Sequence, residues 1–367
     1  MKIGILNSGF TGYYIGDFLS MCNEKGITVD IFNVMGQKLP YGIKFSKIYE
    51  LSAVWNMKKT ETYKLLENEI KSVCNVDEYD YFICDVVTLS FKNACNLFHI
   101  HTVKYKTEHT AKNIIAFVSG IIHRKIIEHQ SEYYKNTKLC IVGSKEMKQD
   151  YHKNCNIKYE NIKIIPPGIN NQESETKNNE SSNKYPFVFG AVTCGFDLKG
   201  GYIILKALRK LKKEYSSKEI RFKFINPSYN RQWQLKLYIK LFGLGSYVEF
   251  LPFQNNINKF YEKIDSLVCV SKSEAFGRVV TEAMSFGLPV VVASNVGASD
   301  VIRDGYNGYI VRANEKISLN LAEKITYILN HRQKNNRLIK PAAKKASHLT
   351  WRNFAAKLFN YIYYGEK

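Results

Sequence analysis

The sequence contains no apolar stretch long enough to cross a lipid bilayer. Its longest apolar stretch covers residues 114–122 and is interrupted by Ser119 and Gly120, whereas a membrane-spanning helix needs about 20 consecutive apolar residues. The first twenty residues include Asn7 and Asp17 and form no apolar signal region. These absences argue against an integral membrane protein and against a secreted one, so we expect a cytoplasmic protein.

Paired cysteines are also missing. The eight cysteines are scattered, none of them forms a Cys-x-x-Cys pair, and no cysteine–histidine cluster has zinc-finger spacing. Scattered cysteines in a large core behave as small buried hydrophobic residues. They favour a reducing compartment and indicate neither a structural metal nor a disulfide framework.

Acidic residues are few compared with basic ones. The chain has 33 aspartates and glutamates against 53 lysines and arginines, which gives a formal net charge of +20. This excess favours an anionic partner, which can be a nucleic acid, membrane phosphates or a phosphorylated substrate. The sequence is also rich in lysine, asparagine, isoleucine and tyrosine, so a biased genome composition explains part of the charge equally well.

The length and the alternation of apolar runs predict two α/β domains. The 367 residues correspond to about two domains at roughly 150 residues each. A strand, a glycine turn, a helix and a second strand over residues 2–32 are typical of a parallel βαβ unit. Further strands are predicted at 81–87, 97–103, 139–142, 187–192, 221–225, 248–251, 266–270 and 289–293, and helices at 58–73, 111–134, 201–215, 232–242 and 279–286.

Domain boundaries follow from a segment without apolar residues at 171–184, which is typical of a linker. We predict an N-terminal Rossmann-like domain over 1–166, a hinge over 167–184 and a C-terminal Rossmann-like domain over 185–346. The last segment, 347–367, is predicted to be an amphipathic helix that can cross back to the N-terminal domain. Because ligands bind where two such domains face each other, the interdomain cleft is the expected active site.

The segment from Ser271 to Tyr309 carries the most informative pattern, SKSEAFGRVVTEAMSFGLPVVVASNVGASDVIRDGYNGY. A polar loop with Glu274 and Gly277 precedes a predicted helix that contains Glu282 about one turn inside. The glycine allows backbone N–H groups to approach a ligand closely, and the helix N-terminus suits a diphosphate. Two carboxylates beside such a site are suited to accept hydrogen bonds from sugar and ribose hydroxyls.

The arrangement Glu274-x7-Glu282 in this setting resembles the retaining family-4 glycosyltransferases (glycosyl transferases group 1). The resemblance is strong over residues 139–364 and weaker over 1–138. It implies an α/β GT-B fold, with two facing Rossmann-like domains, an interdomain cleft and a C-terminal helix. Further features that agree with the family are Pro166-Pro167-Gly168-Ile169-Asn170, Lys199-Gly200, Gly297 to Asp300, Gly305-Tyr306-Asn307-Gly308-Tyr309 and Thr350-Trp351.

This resemblance implies a glycosyltransferase, and more narrowly a hexosyltransferase, that takes a UDP- or GDP-linked sugar as donor. The acceptor would be a glycan or a lipid-linked glycan, the anomeric configuration would be retained, and no metal or other cofactor would be required. Glu274 would contact the donor sugar, helped by the backbone of Ala275, Phe276 and Gly277. Glu282 would bind the ribose hydroxyls.

Lys199 and Gly200 would meet the diphosphate of the donor according to the same resemblance. The family often carries an arginine just after the glycine of the first C-domain strand, where this sequence has Ala191. Arg278 is our candidate for the missing cation, although a surface arginine is an alternative reading of that residue.

The acceptor would lie on the N-terminal domain. Gly9 and Gly12 follow the first predicted strand, and His101 is a candidate catalytic residue near the sugar, although His99 is equally eligible. The two glycines are also compatible with a simple structural turn. Because they do not complete the G-x-G-x-x-G fingerprint, a dehydrogenase is disfavoured.

A basic, apolar stretch over residues 111–127 predicts peripheral attachment to an anionic membrane surface, on the inner face of the membrane. A core-facing helix with a solvated basic side is an alternative that the pattern leaves open.

Two other functions also stay open. One is a nucleotide-sugar epimerase with a GT-B-like fold, and the other is a basic nucleic-acid-binding protein. Since no recognised nucleic-acid-binding module is present, we expect no nucleic acid partner.

Overall fold

The computed structural model describes residues 1–7, 13–34, 37, 44–52, 61–85, 89–98, 134, 137–170, 185–225 and 232–365. These residues form two compact units. One unit comprises residues 1–168 together with 350–367, and the other comprises residues 169–349. The last helix of the chain therefore belongs to the first unit. Most of the predicted hinge, residues 171–184, lies outside the described residues.

The described strands of the first unit are β1 (Lys2–Asn7), β2 (Thr28–Val34), β3 (Lys47–Leu51), β4 (Tyr81–Asp85), β5 (Ala94–Phe98), β6 (Leu139–Val142) and β7 (Ile162–Ile164). They form one parallel sheet in the order β3-β2-β1-β4-β5-β6-β7. Strands buried on both faces of a parallel sheet are continuous apolar runs. The register shows this at the centre, where Ile5 pairs with Ile31 on one side and with Ile83 on the other.

The described strands of the second unit are β8 (Phe187–Val192), β9 (Ile220–Ile225), β10 (Val248–Leu251), β11 (Ser266–Cys269), β12 (Val290–Ala293) and β13 (Tyr309–Val311). They form a second parallel sheet in the order β10-β9-β8-β11-β12-β13. Its core contains stacked aromatic rings, for example Phe189 on Phe222 with centroids 5.2 Å apart. Aromatic packing of this kind contributes large buried areas to the core.

Helices lie in several of the crossovers that parallel pairing requires. The described helices are α1 (Ile15–Glu24), α2 (Glu61–Val73), α3 (Lys145–Cys155), α4 (Gly201–Leu211), α5 (Gln232–Leu241), α6 (Asn258–Tyr261), α7 (Arg278–Ser285), α8 (Ile317–Asn330), α9 (Arg332–Ser347) and α10 (Trp351–Tyr363). None of the helices in the described ranges has both the length and the apolar composition needed to cross a membrane.

Helix α10 packs on α1 of the first unit. It begins where the Thr350 side chain accepts a hydrogen bond from the Asn353 N–H at 3.1 Å, which caps the helix. Phe359 meets Phe18 edge to face, with ring centroids 6.1 Å apart. Residues Phe354, Ala355, Leu358, Phe359 and Ile362 are buried, which is the one-sided pattern of an amphipathic helix.

Several predicted elements differ from the observed ones. The strand predicted at 97–103 begins earlier, at Ala94, and its described part ends at Phe98. Strands β3, β7 and β13 were not predicted, and neither were helices α3, α6, α8 and α9. The short strands β7 and β13 have only three residues each, which is too little for a periodic signal. The helix predicted at 111–134 and the basic stretch at 111–127 lie outside the described residues, except for Tyr134.

The cysteines follow the predicted pattern with one clear exception. Six of them are buried, Cys74 is half-buried and Cys194 is exposed. Cys194 lies in the loop after β8 and departs from the buried placement expected of scattered cysteines. Burial raises the pKa of the Cys269 thiol to about 12, so this thiol stays protonated at neutral pH.

Candidate active site

The candidate site lies in the second unit, at the carboxyl ends of β8 and β11. These two strands are neighbours in the middle of the sheet, and the chain leaves them in opposite directions. Strands β9 and β10 lie beyond β8, while β12 and β13 lie beyond β11. A point where the strand order reverses opens a crevice between the two outgoing loops, and ligands of parallel sheets bind there.

Two charged residues meet at this point, one from each outgoing loop. The Lys199 ammonium, in the loop after β8, donates a hydrogen bond to Oε2 of Glu274, in the loop after β11. Their side chains are 27% and 17% exposed, so the pair is shielded but can be reached from solvent. Ser271 Oγ lies 3.5 Å from the same carboxylate oxygen and adds a weak contact. The structure thus brings together the two residues to which the resemblance assigned the diphosphate and the donor sugar.

A second ion pair ties the same two loops together. Lys272 Nζ lies 2.6 Å from Asp197 Oδ1, and the Lys272 backbone N–H donates to the Leu198 carbonyl at 2.9 Å. The Asn295 amide, after β12, donates to the carbonyls of Ser271 and Lys272. These links were not predicted from the sequence, because single lysine, aspartate and asparagine residues in loops carry no recognisable spacing. They hold the loops in register at the site.

Gly200 explains why the two loops can approach so closely. Its φ is +79°, and a Cβ at this position would lie 2.1 Å from the Val270 carbonyl oxygen. Any residue with a side chain would therefore be strained and would push the β8 loop away from the end of β11. The lysine–glycine pair of the sequence is thus a geometric unit, in which the glycine permits the contact that the lysine makes.

Helix α7 begins directly at the site. Gly277 precedes it with φ +89°, and Arg278 is its first residue, one position earlier than predicted. Arg278 is exposed. The N-terminus of this eight-residue helix presents backbone N–H groups and a positive dipole end beside Glu274, which favours an anionic group.

Glu282 lies about one turn inside α7 and has a buried partner. The Tyr261 hydroxyl donates a hydrogen bond to Glu282 Oε2 at 2.9 Å. Tyr261 is fully buried, and burial raises the pKa of its hydroxyl well above the usual range, so the group stays protonated and donates. Tyr261 was not predicted as a site residue, because a tyrosine in a short helix before a strand is also typical of ordinary core packing.

The remaining predicted site residues have different outcomes. Ala191, where the family often has arginine, is buried within β8. Ala275 and Phe276 lie in the β11 loop as expected, and Phe276 is buried. Gly9, Gly12 and His101 lie outside the described residues.

A polar cluster lies at the carboxyl ends of the first three strands of the first unit. The Asn7 amide, at the end of β1, donates to Asn33 Oδ1 at 2.8 Å. The Asn33 amide in turn donates to Glu50 Oε2 at 2.9 Å. Sequence analysis did not select these residues, because they lie on separate strands and only the sheet brings them together.

Across the part of the chain that the structure describes, no three histidine, cysteine, aspartate or glutamate side chains are grouped so that they could hold a metal ion.

Comparison with known sequences relates the second unit to a known family. Residues 172–345 match the family model "Glycosyl transferases group 1", and this range contains the whole candidate site. Spore coat protein SA of Bacillus subtilis is 32% identical over 172 residues, which are 44% of this chain and 45% of that protein. The chain thus spans less than half the length of that relative. An uncharacterized glycosyltransferase of Methanocaldococcus jannaschii is 27% identical over 344 residues, which are 84% of each chain.

Comparison with solved structures gives the fold. The structure of Anabaena HepE in complex with UDP and glucose superposes with a TM-score of 0.63 and 18% identity, and the match covers 98% of each chain. At this level of identity the likeness concerns the fold, and the folds matched are of the GT-B type. The predicted two-domain α/β fold and the predicted family are therefore confirmed. Residues 172–345 of the chain match the group 1 glycosyltransferases, and the chain as a whole has the GT-B fold.

Proposed function

We propose that this chain is a hexosyltransferase that moves a sugar from a UDP- or GDP-linked donor to a glycan or lipid-linked acceptor, with retention of the anomeric configuration. The contact between Lys199 and Glu274 is the observation that carries the proposal. It places one cation and one carboxylate at the reversal point of the sheet, beside the start of α7. The complex of a related fold with UDP and glucose supports a nucleotide-sugar donor.

Charge is the central chemical demand of this reaction. When the sugar leaves, the nucleoside diphosphate gains negative charge that must be stabilised in place. Lys199 is a compact point charge at the site, and the N-termini of α4 and α7 present backbone N–H groups to the same region. Ala191 cannot contribute a charge, so Lys199 carries more of this task here than it would beside an arginine. We propose Arg278 as the second cation, and we propose that no metal is required.

Glu274 has a different role from Lys199. Its carboxylate can accept hydrogen bonds from the hydroxyls of the donor sugar. Oε2 accepts a hydrogen bond from Lys199. In this proposal the ammonium lies between the carboxylate and the donor diphosphate and interacts with both. The ion pair therefore positions Lys199 for the diphosphate.

Glu282 binds the ribose hydroxyls in this proposal. One of its oxygens is already held by the Tyr261 hydroxyl, which leaves the other oxygen to accept from the ribose. Since Tyr261 is fully buried, its hydroxyl fixes the direction of the Glu282 carboxylate. The Glu282 side chain therefore loses little conformational entropy when the ligand binds. Tyr261 thus acts as a positioning residue.

The acceptor binds to the first unit in this proposal. Gly9 and Gly12 follow β1, and His101 follows β5, so all three come after the carboxyl ends of strands in the first sheet. The cluster of Asn7, Asn33 and Glu50 lies at the same edge. We place the reaction in the cytoplasm, at the inner face of the membrane.

A panel of nucleotide sugars tests the proposal directly. The full chain is incubated with each donor and with glycan or lipid-linked acceptors, products are identified by mass spectrometry, and the anomeric configuration is read by NMR. We expect a glycoside with retained configuration, and we expect Glu274→Gln to abolish it while Glu249→Gln does not. Glu249 is a matched control because it also pairs with a lysine, Lys223, in the same unit at 3.1 Å.

Other products contradict the proposal. An epimerised sugar formed without an acceptor indicates an epimerase. An inverted glycoside contradicts retention. Tight binding to nucleic acid that weakens steeply with salt, without turnover of any donor, indicates a nucleic-acid-binding protein.

A further inference from the structure

An apolar stripe on helix α5 faces solvent. Trp233, Leu237 and Leu241 are 64%, 46% and 69% exposed. Their spacing of four residues places them on one side of the helix. The other side packs on the core through the buried Leu235 and the half-buried Tyr238. Three large exposed apolar side chains in one row are unusual on a soluble surface and mark an interaction site.

The surroundings of this stripe are basic. Helix α4 is the neighbour of α5, since the Arg209 guanidinium lies 4.2 Å from the centre of the Phe242 ring just after α5. Tyr202 of α4 also meets Tyr238 of α5, with ring centroids 6.0 Å apart. Neither helix contains an aspartate or a glutamate. Their exposed cations are Lys206, Arg209, Lys210, Lys236 and Lys240. We call this combination of the apolar stripe and these five cations the α4–α5 face.

We propose that the α4–α5 face docks on a bilayer that contains anionic phospholipids. Trp233, Leu237 and Leu241 enter the boundary between head groups and acyl chains, and the cations meet the lipid phosphates. A tryptophan and leucines beside lysines are the side chains that suit this boundary, because the lysine stems reach along the apolar layer while the ammonium groups stay in water. Because α4 and α5 contain lysines and an arginine but no aspartate or glutamate, none of their side chains repels the negatively charged lipid surface.

This surface is distinct from the basic stretch at 111–127, which belongs to the sequence of the first unit. Its residues also do not overlap with those of the proposed transfer reaction, because none of them is assigned to the donor or the acceptor. Membrane binding and catalysis can therefore be tested separately.

Vesicle flotation tests the proposal with the full chain. One set of vesicles contains phosphatidylcholine alone, and the other contains phosphatidylcholine and phosphatidylglycerol at roughly 3:1. We expect the chain to float with the anionic set at low salt and to be released in about 0.5 M NaCl, where charges are screened within a few ångströms. The double variant Leu237→Gln/Leu241→Gln should reduce partitioning by at least about tenfold, because two apolar anchors are lost.

Leu65→Gln is the matched control. Leu65 is 60% exposed on helix α2 of the first unit, so the substitution has the same chemistry at a residue that is not part of the α4–α5 face. It should leave partitioning unchanged. Thermal unfolding of both variants establishes that each is folded before binding is compared.

The fluorescence of Trp233 shows whether the stripe itself enters the lipid. The chain has three tryptophans. We expect the tryptophan emission of the chain to shift to shorter wavelength when anionic vesicles are added, because Trp233 enters the lipid. Trp233→Phe should remove that shift. The proposal is overturned if the double variant binds as the unchanged chain does, if the shift persists in Trp233→Phe, or if neither set of vesicles is bound. It is also overturned if the stripe instead mediates self-association, seen in ultracentrifugation as a lipid-free dimer that Leu237→Gln/Leu241→Gln dissociates.

Discussion

Replacing Lys199 with alanine removes the only cation that the structure places in direct contact with Glu274 among the described residues. The substitution leaves the Glu274 carboxylate, 17% exposed, without its ammonium partner. Gly200, Asp197 and Lys272 still hold the β8 loop against the β11 loop. We therefore expect the loop to stay in place and the loss to fall on the chemistry of the site.

The magnitude follows from the charge that develops in the reaction. A preorganised donor to an oxyanion contributes about 2.7–4 kcal/mol to the transition state, which corresponds to a hundredfold to a thousandfold in rate. Since Ala191 supplies no charge, no neighbouring arginine on β8 can compensate. We expect Lys199→Ala to lower kcat by at least about a hundredfold, and we expect Arg278→Ala to have a smaller effect.

Initial rates at saturating donor measure this effect as kcat. Lys223→Ala is the matched control, because Lys223 also pairs with a glutamate in the same unit, at 3.1 Å from Glu249. It should keep full activity. Parallel assays with EDTA should show little change, since the charge is assigned to side chains and backbone N–H groups.

Two results refute this reasoning. Full activity of Lys199→Ala shows that another group stabilises the leaving diphosphate. Complete loss of activity in EDTA, restored by a divalent ion, shows that a metal performs this task. A fall in activity matched by an equal fall in the Lys223→Ala control would indicate a general loss of folding instead.

Three further predictions concern the nucleotide and the loop. Glu282→Ala should weaken UDP or GDP binding about 10- to 100-fold in calorimetry, because hydrogen bonds to a charged group contribute about 1.5–3 kcal/mol. Glu323→Ala is the control and should bind as the unchanged chain does. Unchanged affinity of Glu282→Ala for the better of the two ligands contradicts the prediction. Tyr261→Phe should weaken the same binding by about two- to tenfold and leave kcat unchanged. Burial raises the pKa of the Tyr261 hydroxyl well above its usual range, so the hydroxyl stays protonated at both about pH 7 and about pH 9. The affinity difference between the unchanged chain and Tyr261→Phe should therefore be equal at the two pH values. If that difference disappears at the higher pH, the Tyr261 hydroxyl is not a protonated donor there. Gly200→Ala should lower the free energy of unfolding by at least about 3 kcal/mol, because the added Cβ collides with the Val270 carbonyl. Gly305 also has a positive φ, +72°, but open space around its Cβ, so Gly305→Ala should lower the free energy of unfolding by only about 1–2 kcal/mol. Equal losses at the two sites would falsify the collision with Val270.

Local pattern in the sequence was enough for the fold class and for the main site segment. Continuous apolar runs such as Phe187–Val192 end where turn residues begin, and this alternation is a property of neighbouring residues. The segment with Glu274 and Glu282 could be found for the same reason, because a loop, a glycine and a helix start are contiguous in the chain. Short elements such as β13, and helices of mixed composition such as α9, lack that local signal.

Tertiary structure alone decided which side chains meet. Lys199 and Glu274 are far apart in the chain and come together because β8 and β11 are adjacent strands whose loops leave the same edge of the sheet. Tyr261 reaches Glu282 only through the packing of the core, and no spacing in the sequence indicates a hydrogen bond between them. The exposure of Trp233 was likewise invisible in a helix pattern that has apolar residues on both sides. Sequence pattern therefore determined the elements and the kind of site, while strand order and burial, which depend on residues distant in the chain, determined the contacts.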